Sequence, residues 1–154
     1  MTNFMEKIKP YGLVVARLGM GVVFLCFSYY QFSNPLMWTS FVPHAVSAVF
    51  GGNAYLLVVL NAWFELVAGI ALIVGIQTRT VALLLSLHLF GIAGSIGISP
   101  LGVRDIGLAI ATFAIFLNGP DIWSLDSRSF ARRSSVSNLK STRSEGNPLP
   151  VRRI

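Results

Sequence analysis

Between Arg17 and Arg79 the chain carries a single formal charge, Glu65, set within an apolar run from Ala54 to Ile76. No Lys, Arg, Asp or Glu occurs from Leu18 to Phe64. Charged residues make up most of a water-facing skin, so a soluble domain cannot leave this much surface uncharged. A bilayer protein can. A lone carboxylate in the middle of a membrane span costs several kcal/mol on insertion scales, roughly 3, so it needs a partner or a task.

Composition points the same way. Charged residues are 12% of the sequence and hydrophobic ones 54%, with a mean hydropathy of +0.68, against about 25% charged in ordinary globular domains. The net charge of +6 belongs to the tail: charges cancel over residues 1–126, and residues 127–154 hold seven basic residues against Glu145. Because nothing folded accompanies those basic residues, nucleic acid is not an expected partner. A basic tail beside a bilayer sets topology and touches anionic lipid. The tail, rich in Ser, Arg, Asn and Pro, is expected to be disordered.

Four runs are long and apolar enough to span: Tyr11–Tyr29, Ala54–Ile76, Thr80–Ile98 and Val103–Leu117. The predicted fold is an all-α integral membrane protein, a four-helix bundle. Residues 1–10 are an N-terminal flank, 11–126 the membrane domain and 127–154 the tail. The first run is long for a signal peptide's h-region and lacks a small-x-small cleavage site, so it reads as retained. Gln77-Thr78-Arg79 is too short for anything but an antiparallel hairpin. Tyr30–Asn53 is uncharged, too long for a turn and too apolar for a solvated loop. It reads as a helical segment in the membrane interface, interrupted near Pro43. Lys7, Lys9, Arg79 and the tail arginines flank alternate span ends. The positive-inside rule then places both termini in the cytoplasm of a multi-pass plasma-membrane protein.

The candidate binding cluster is Arg17, Asn61, Glu65, His88, Arg104 and Asp105, with Glu65 and His88 as catalytic candidates. Asn61, Glu65, Ala68, Gly69 and Leu72 share one face of the second span, and His88, Gly91 and Ser95 share one of the third. Such a cluster binds a head group or relays protons; equally, buried polar contacts of this kind fix helix register. Arg17 has the alternative of snorkelling to the interface, and Asp105 that of complementing a helix N-terminus. If Arg17 or Arg104 reaches Glu65, the glutamate is ionised and paired; if neither does, it is protonated and serves as a donor or carrier. Two histidines and one cysteine, Cys26, have no ligand spacing, so no metal site is expected. A lone thiol excludes an internal disulfide. No phosphate loop or nucleophile elbow occurs.

Four stretches recur together in order: Arg17-Leu18-Gly19 with Asn34-Pro35; Glu65-Leu66-Val67-Ala68-Gly69; Gly75-Ile76-Gln77-Thr78-Arg79; and Gly119-Pro120-Asp121-Ile122-Trp123-Ser124-Leu125-Asp126. With Arg104-Asp105 ahead of the last span, the chain over residues 11–126 resembles the DoxX family of small four-helix membrane proteins. That resemblance implies association with quinone-linked redox complexes, including thiosulfate oxidation and thiol-stress systems. It carries the family's motif glutamate onto Glu65 and its arginines onto Arg17 and Arg104. Members often have a lysine where this chain reads Tyr30-Gln31-Phe32. The implied function is a subunit of a quinone-linked oxidoreductase, with no intrinsic cofactor beyond quinone. Its expected partners are membrane lipids, other membrane or redox subunits, or further copies of itself. The alternatives are a non-catalytic scaffold for a membrane complex and a small transporter; four spans without an inverted repeat are few for the latter.

Overall fold

The computed structural model describes residues 2–127, and the basic tail expected from 127 onward lies outside them apart from Ser127. A short helix, α1 (Thr2–Ile8), leads through Lys9-Pro10 into α2 (Tyr11–Ser33). Three short pieces follow: α3 (Pro35–Trp38), a 3-10 turn (Thr39–Phe41) and α4 (His44–Val49). The other long helices are α5 (Ala54–Val74), α6 (Thr78–Ile96) and α7 (Pro100–Asn118), and no strand occurs among the described residues. Four helices, α2 and α5 to α7, are long and apolar enough to cross a membrane.

Local chemistry sets the helix ends, and several differ from the sequence expectation. Helix α2 runs past Tyr29 to Ser33 and stops because Asn34 precedes Pro35, a position where helical backbone is disfavoured; Asn34 sits at φ −147°. Helix α5 starts where the Asn53 side chain accepts a hydrogen bond from the Leu56 amide at 3.0 Å. It ends at Gly75, whose φ of 76° suits glycine. Helix α7 begins at Pro100, three residues before the expected Val103, because Ser99 caps it by accepting from the Gly102 amide at 3.1 Å. Asp105 therefore lies beyond the first turn, and the expected role at the helix N-terminus does not apply.

The long helices form two tight pairs, α2 with α5 and α6 with α7; α5 and α6 are joined by a short turn but share a much smaller interface. The first pair closes where Gly21 and Gly69 face each other. A Cβ on Gly21 would lie 2.4 Å from Ile73 and 3.2 Å from the Gly69 carbonyl. Small residues let membrane helices approach this closely. The core contains Met20, Phe24, Ala68, Leu72, Leu85, Leu89 and Ile115. Val15, Trp63, Val67, Leu87, Ile110 and Leu117 are exposed on the opposite faces, as lipid contact requires.

Candidate functional site

At the end of the bundle where α7 begins, here called the Arg104 end, the two pairs separate around a cavity of about 450 Å³. Its walls come from the Phe27 and Gln31 turns of α2, Leu57 to Glu65 of α5, His88 to Ile96 of α6 and Leu101 to Asp105 of α7. Trp38, Phe41, Val42, Pro43 and Val46 roof it. The segment between α2 and α5 is thus a cover for the cavity.

Glu65 is buried at 2% exposure, and both its oxygens are engaged. Gln31 Nε2 donates to Oε2 at 2.7 Å, and Asn61 Nδ2 donates to Oε1 at 3.1 Å. Asn61 Nδ2 also donates to Gln31 Oε1 at 2.8 Å, closing a ring of three side chains between α2 and α5. Helical spacing explains two members, since Asn61 and Glu65 are one turn apart. The third, Gln31, was missed by sequence reasoning. Its signal was a polar residue near the end of an apolar span.

His88 Nε2 sits 3.5 Å from Glu65 Oε1, in charge contact if the imidazole is protonated. The nitrogen is buried and makes no hydrogen bond. Phe64 packs edge-on against the ring, with centroids 4.9 Å apart. At the cavity rim Arg104 Nε donates to Asp105 Oδ1 at 2.8 Å, and its guanidinium lies 4.9 Å from the Phe27 ring centroid. Asp105 is buried, whereas the Arg104 side chain is 41% exposed. Asn61, Glu65, His88, Arg104 and Asp105 therefore line one cavity. No third His, Cys, Asp or Glu joins Glu65 and His88 as a metal-ligand set among the described residues.

Arg17 lies elsewhere. Its side chain is fully buried near the other end of the bundle, where Nε donates to Asp121 Oδ2 at 2.6 Å and Nη1 donates to the Leu72 carbonyl at 2.6 Å. It is neither a member of the Glu65 cluster nor a snorkelling side chain, because the segment after α7 folds back to supply a buried carboxylate. Neither Arg17 nor Arg104 is bound to Glu65; its partners are two amides and His88.

Asp121 and Asp126 of the same segment lock the Arg17 end. The Asp126 carboxylate accepts from the Gln77 and Thr78 amides at 2.9 and 2.7 Å, capping α6. Burial raises the pKa of Asp121, but the Arg17 hydrogen bond and the Trp123 amide outweigh it and hold the carboxyl below its ordinary 3.8. Asp126 is likewise raised by burial and lowered more by the Thr78 and Gln77 amides, ending below 3.8.

The DoxX family model matches residues 12–97, which spans α2 to α6 and includes Gln31, Asn61, Glu65 and His88. No curated protein and no solved structure matches the chain. With its four apolar spans, and with more than half of its length matched, this chain is a multi-pass membrane protein of the DoxX family.

Proposed function

We propose that the cavity binds the head group of a lipid-soluble quinone, and that the protein is a membrane subunit of a redox assembly whose other subunits carry the electrons. The supporting observation is the buried His88 Nε2, which makes no hydrogen bond and lies 3.5 Å from Glu65 Oε1, on a cavity whose lining is mostly apolar. A cavity of about 450 Å³ lies within the usual range for small-molecule sites, roughly 300–1,000 Å³. Its lining suits a flat ring with polar substituents: aromatic and aliphatic walls, and a few converging polar groups.

A bound quinone supplies two-electron, two-proton redox chemistry. The chain's residues handle the protons and the orientation. His88 Nε2 makes no hydrogen bond within the protein and is the group left to meet a ligand, and Glu65 is the adjacent carboxylate to receive or return a proton. Gln31 and Asn61 hold that carboxylate in place, and Asp105 holds Arg104 at the rim. The positive flanks Lys7, Lys9 and Arg79 favour an orientation with the Arg104 end outside the plasma membrane and both termini in the cytoplasm. A scaffold role has its own support, since the Gln31–Asn61–Glu65 ring ties α2 to α5.

Purified protein in mild detergent is expected to retain extractable quinone, and a short-chain quinone should quench Trp38 fluorescence. Gly91 lines the cavity, and a Cβ there meets nothing within 4 Å. Gly91→Leu should therefore fold normally and abolish binding. Glu65→Gln should weaken binding about tenfold, the effect of roughly 1.4 kcal/mol from a mispaired network. Wild-type protein that retains no quinone and shows no quenching rules the reading out. Glu65→Gln that only lowers the melting temperature supports the scaffold.

A further inference from the structure

We infer that the Glu65–His88 pair exchanges protons with one face of the membrane only, the Arg104 face, through a polar vestibule beneath the 39–44 segment. The inference rests on the reading that Glu65 and His88 handle protons; the access route itself is a matter of geometry.

Toward the Arg17 end the way is closed. Glu65 and His88 stand at the floor of the cavity, and the next layer is mostly apolar: Phe24, Leu72 and Leu85 are 0% exposed, with Ile115 and Ala109 packed among them, and its polar side chains are the hydroxyls of Ser86 and Thr112. Beyond that layer Arg17 is spent on Asp121 and on the Leu72 and Ile73 carbonyls. The hydroxyls of Ser86 and Thr112 donate to the Ala109 and Leu108 carbonyls and are not titratable near neutral pH. A proton moving this way would have to cross mostly hydrocarbon-like packing with no titratable side chain before the Arg17–Asp121 pair.

Toward the Arg104 end a second cavity, of about 620 Å³, adjoins the first. Thr39, Ser40, His44 and Ser47 give it a polar lining. Both cavities are lined by Phe41, Val42, Pro43, Ser95 and Ile96, so these residues are the wall between them. Val42 and Pro43 are extended backbone between the 3-10 turn and α4, with ψ of 118° and 141°. The wall thus has two sides, the end of α6 at Ser95 and Ile96 and the 41–43 stretch, of which Val42 and Pro43 are non-helical. The titratable groups along this route are Glu65 and His88 at the floor, the paired Arg104 and Asp105 at the rim, and His44 on the vestibule. Protons taken up or released at the floor appear at the Arg104 face, and the site does not carry them across the bundle.

Accessibility of a reporter cysteine tests this. In a Cys26→Ser background, Gly91→Cys places a thiol on the cavity wall, where the added Cβ meets nothing within 4 Å. Thr39→Cys and Ser127→Cys mark the Arg104 and Arg17 ends in sealed vesicles treated from one side with a membrane-impermeant, charged methanethiosulfonate. Gly91→Cys should react from the side that labels Thr39→Cys. From the opposite side it should react about a hundredfold more slowly, as desolvating the reagent's charge dictates. Val42→Trp, which thickens the shared wall, should slow the reaction without blocking Thr39→Cys. Labelling from the Ser127 side, equal labelling from both sides, or labelling only by a lipid-soluble maleimide overturns the proposal. One-sided labelling in protein that binds no quinone would sink the functional reading and leave the route standing. Quinone binding with two-sided labelling would do the reverse.

Discussion

Asp121 and Glu65 are buried for different reasons, and their partners show it. Asp121 faces a guanidinium in a direct ion pair, with both side chains at most 2% exposed. Glu65 faces two amides and an imidazole. Removing one half of a buried pair leaves the other charge uncompensated, typically at a cost of about 3–5 kcal/mol. Arg17→Ala is therefore expected to be among the most destabilising single changes in this protein, read as a large drop in melting temperature in detergent. Asp121→Asn should fall in the same direction by less, because Asn still accepts a hydrogen bond. Because Asn is isosteric with Asp, mere space-filling would leave Asp121→Asn at wild-type stability; a measurable loss in that variant identifies the ion pair. The role of Arg17 was open at the level of residue types, since a charged side chain near a span end can snorkel, pair or line a site. Its carboxylate comes from residue 121, after three further spans, and nothing local to Arg17 announces that.

Among the elements, the segment after α7 has the most consequence for its length. It packs so closely on the α5–α6 turn that a Cβ on Gly75 would lie 2.6 Å from Ser124, at a φ of 76° that side chains avoid. Gly75→Ala should accordingly destabilise through both strain and clash. Asp126→Ala removes the acceptor for two amides at the start of α6. It should cost about 1 kcal/mol, the usual effect of losing a cap, and amide exchange at Gln77 and Thr78 should quicken while exchange in mid-α6 holds. Gly-Ile-Gln-Thr-Arg and Gly-Pro-Asp-Ile-Trp-Ser-Leu-Asp are visible as motifs in the sequence. Their mutual contact is not, because motif spacing says nothing about which turn a returning chain will meet. The same limit applied to the Tyr30–Asn53 segment, whose apolar, Pro-broken character was evident while its position over the cavity was not.

For the molecule as a whole, the lock at the Arg17 end predicts a pH dependence. Asp121 and Asp126 have folded-state pKa values below 3.8, so their contribution is fully present above that value and fades as pH falls through the lower folded values. Thermal melts in detergent should be flat through neutral pH and lose stability on acidification below about pH 4. Asp121→Asn should flatten part of that acid limb; an unchanged limb would refute the assignment. The bundle is thus tied at one end by charge and opened at the other by a cavity. That it spans a membrane four times follows from charge depletion and run length, because a bilayer tolerates little else and backbone hydrogen bonding makes each run a helix. Glu65, His88, Asn61 and Arg104 stand out in the sequence as candidates because an ionisable or amide side chain in such a run is costly wherever it faces lipid, and all four line the cavity. Pairwise helix packing governs the rest: which helices close tightly, where the cavity falls, that Gln31 belongs to it and Arg17 does not. Those outcomes depend on contacts between residues as far apart as 17 and 121, whose energies are comparable among several arrangements of four apolar helices and separate only once all four are in place.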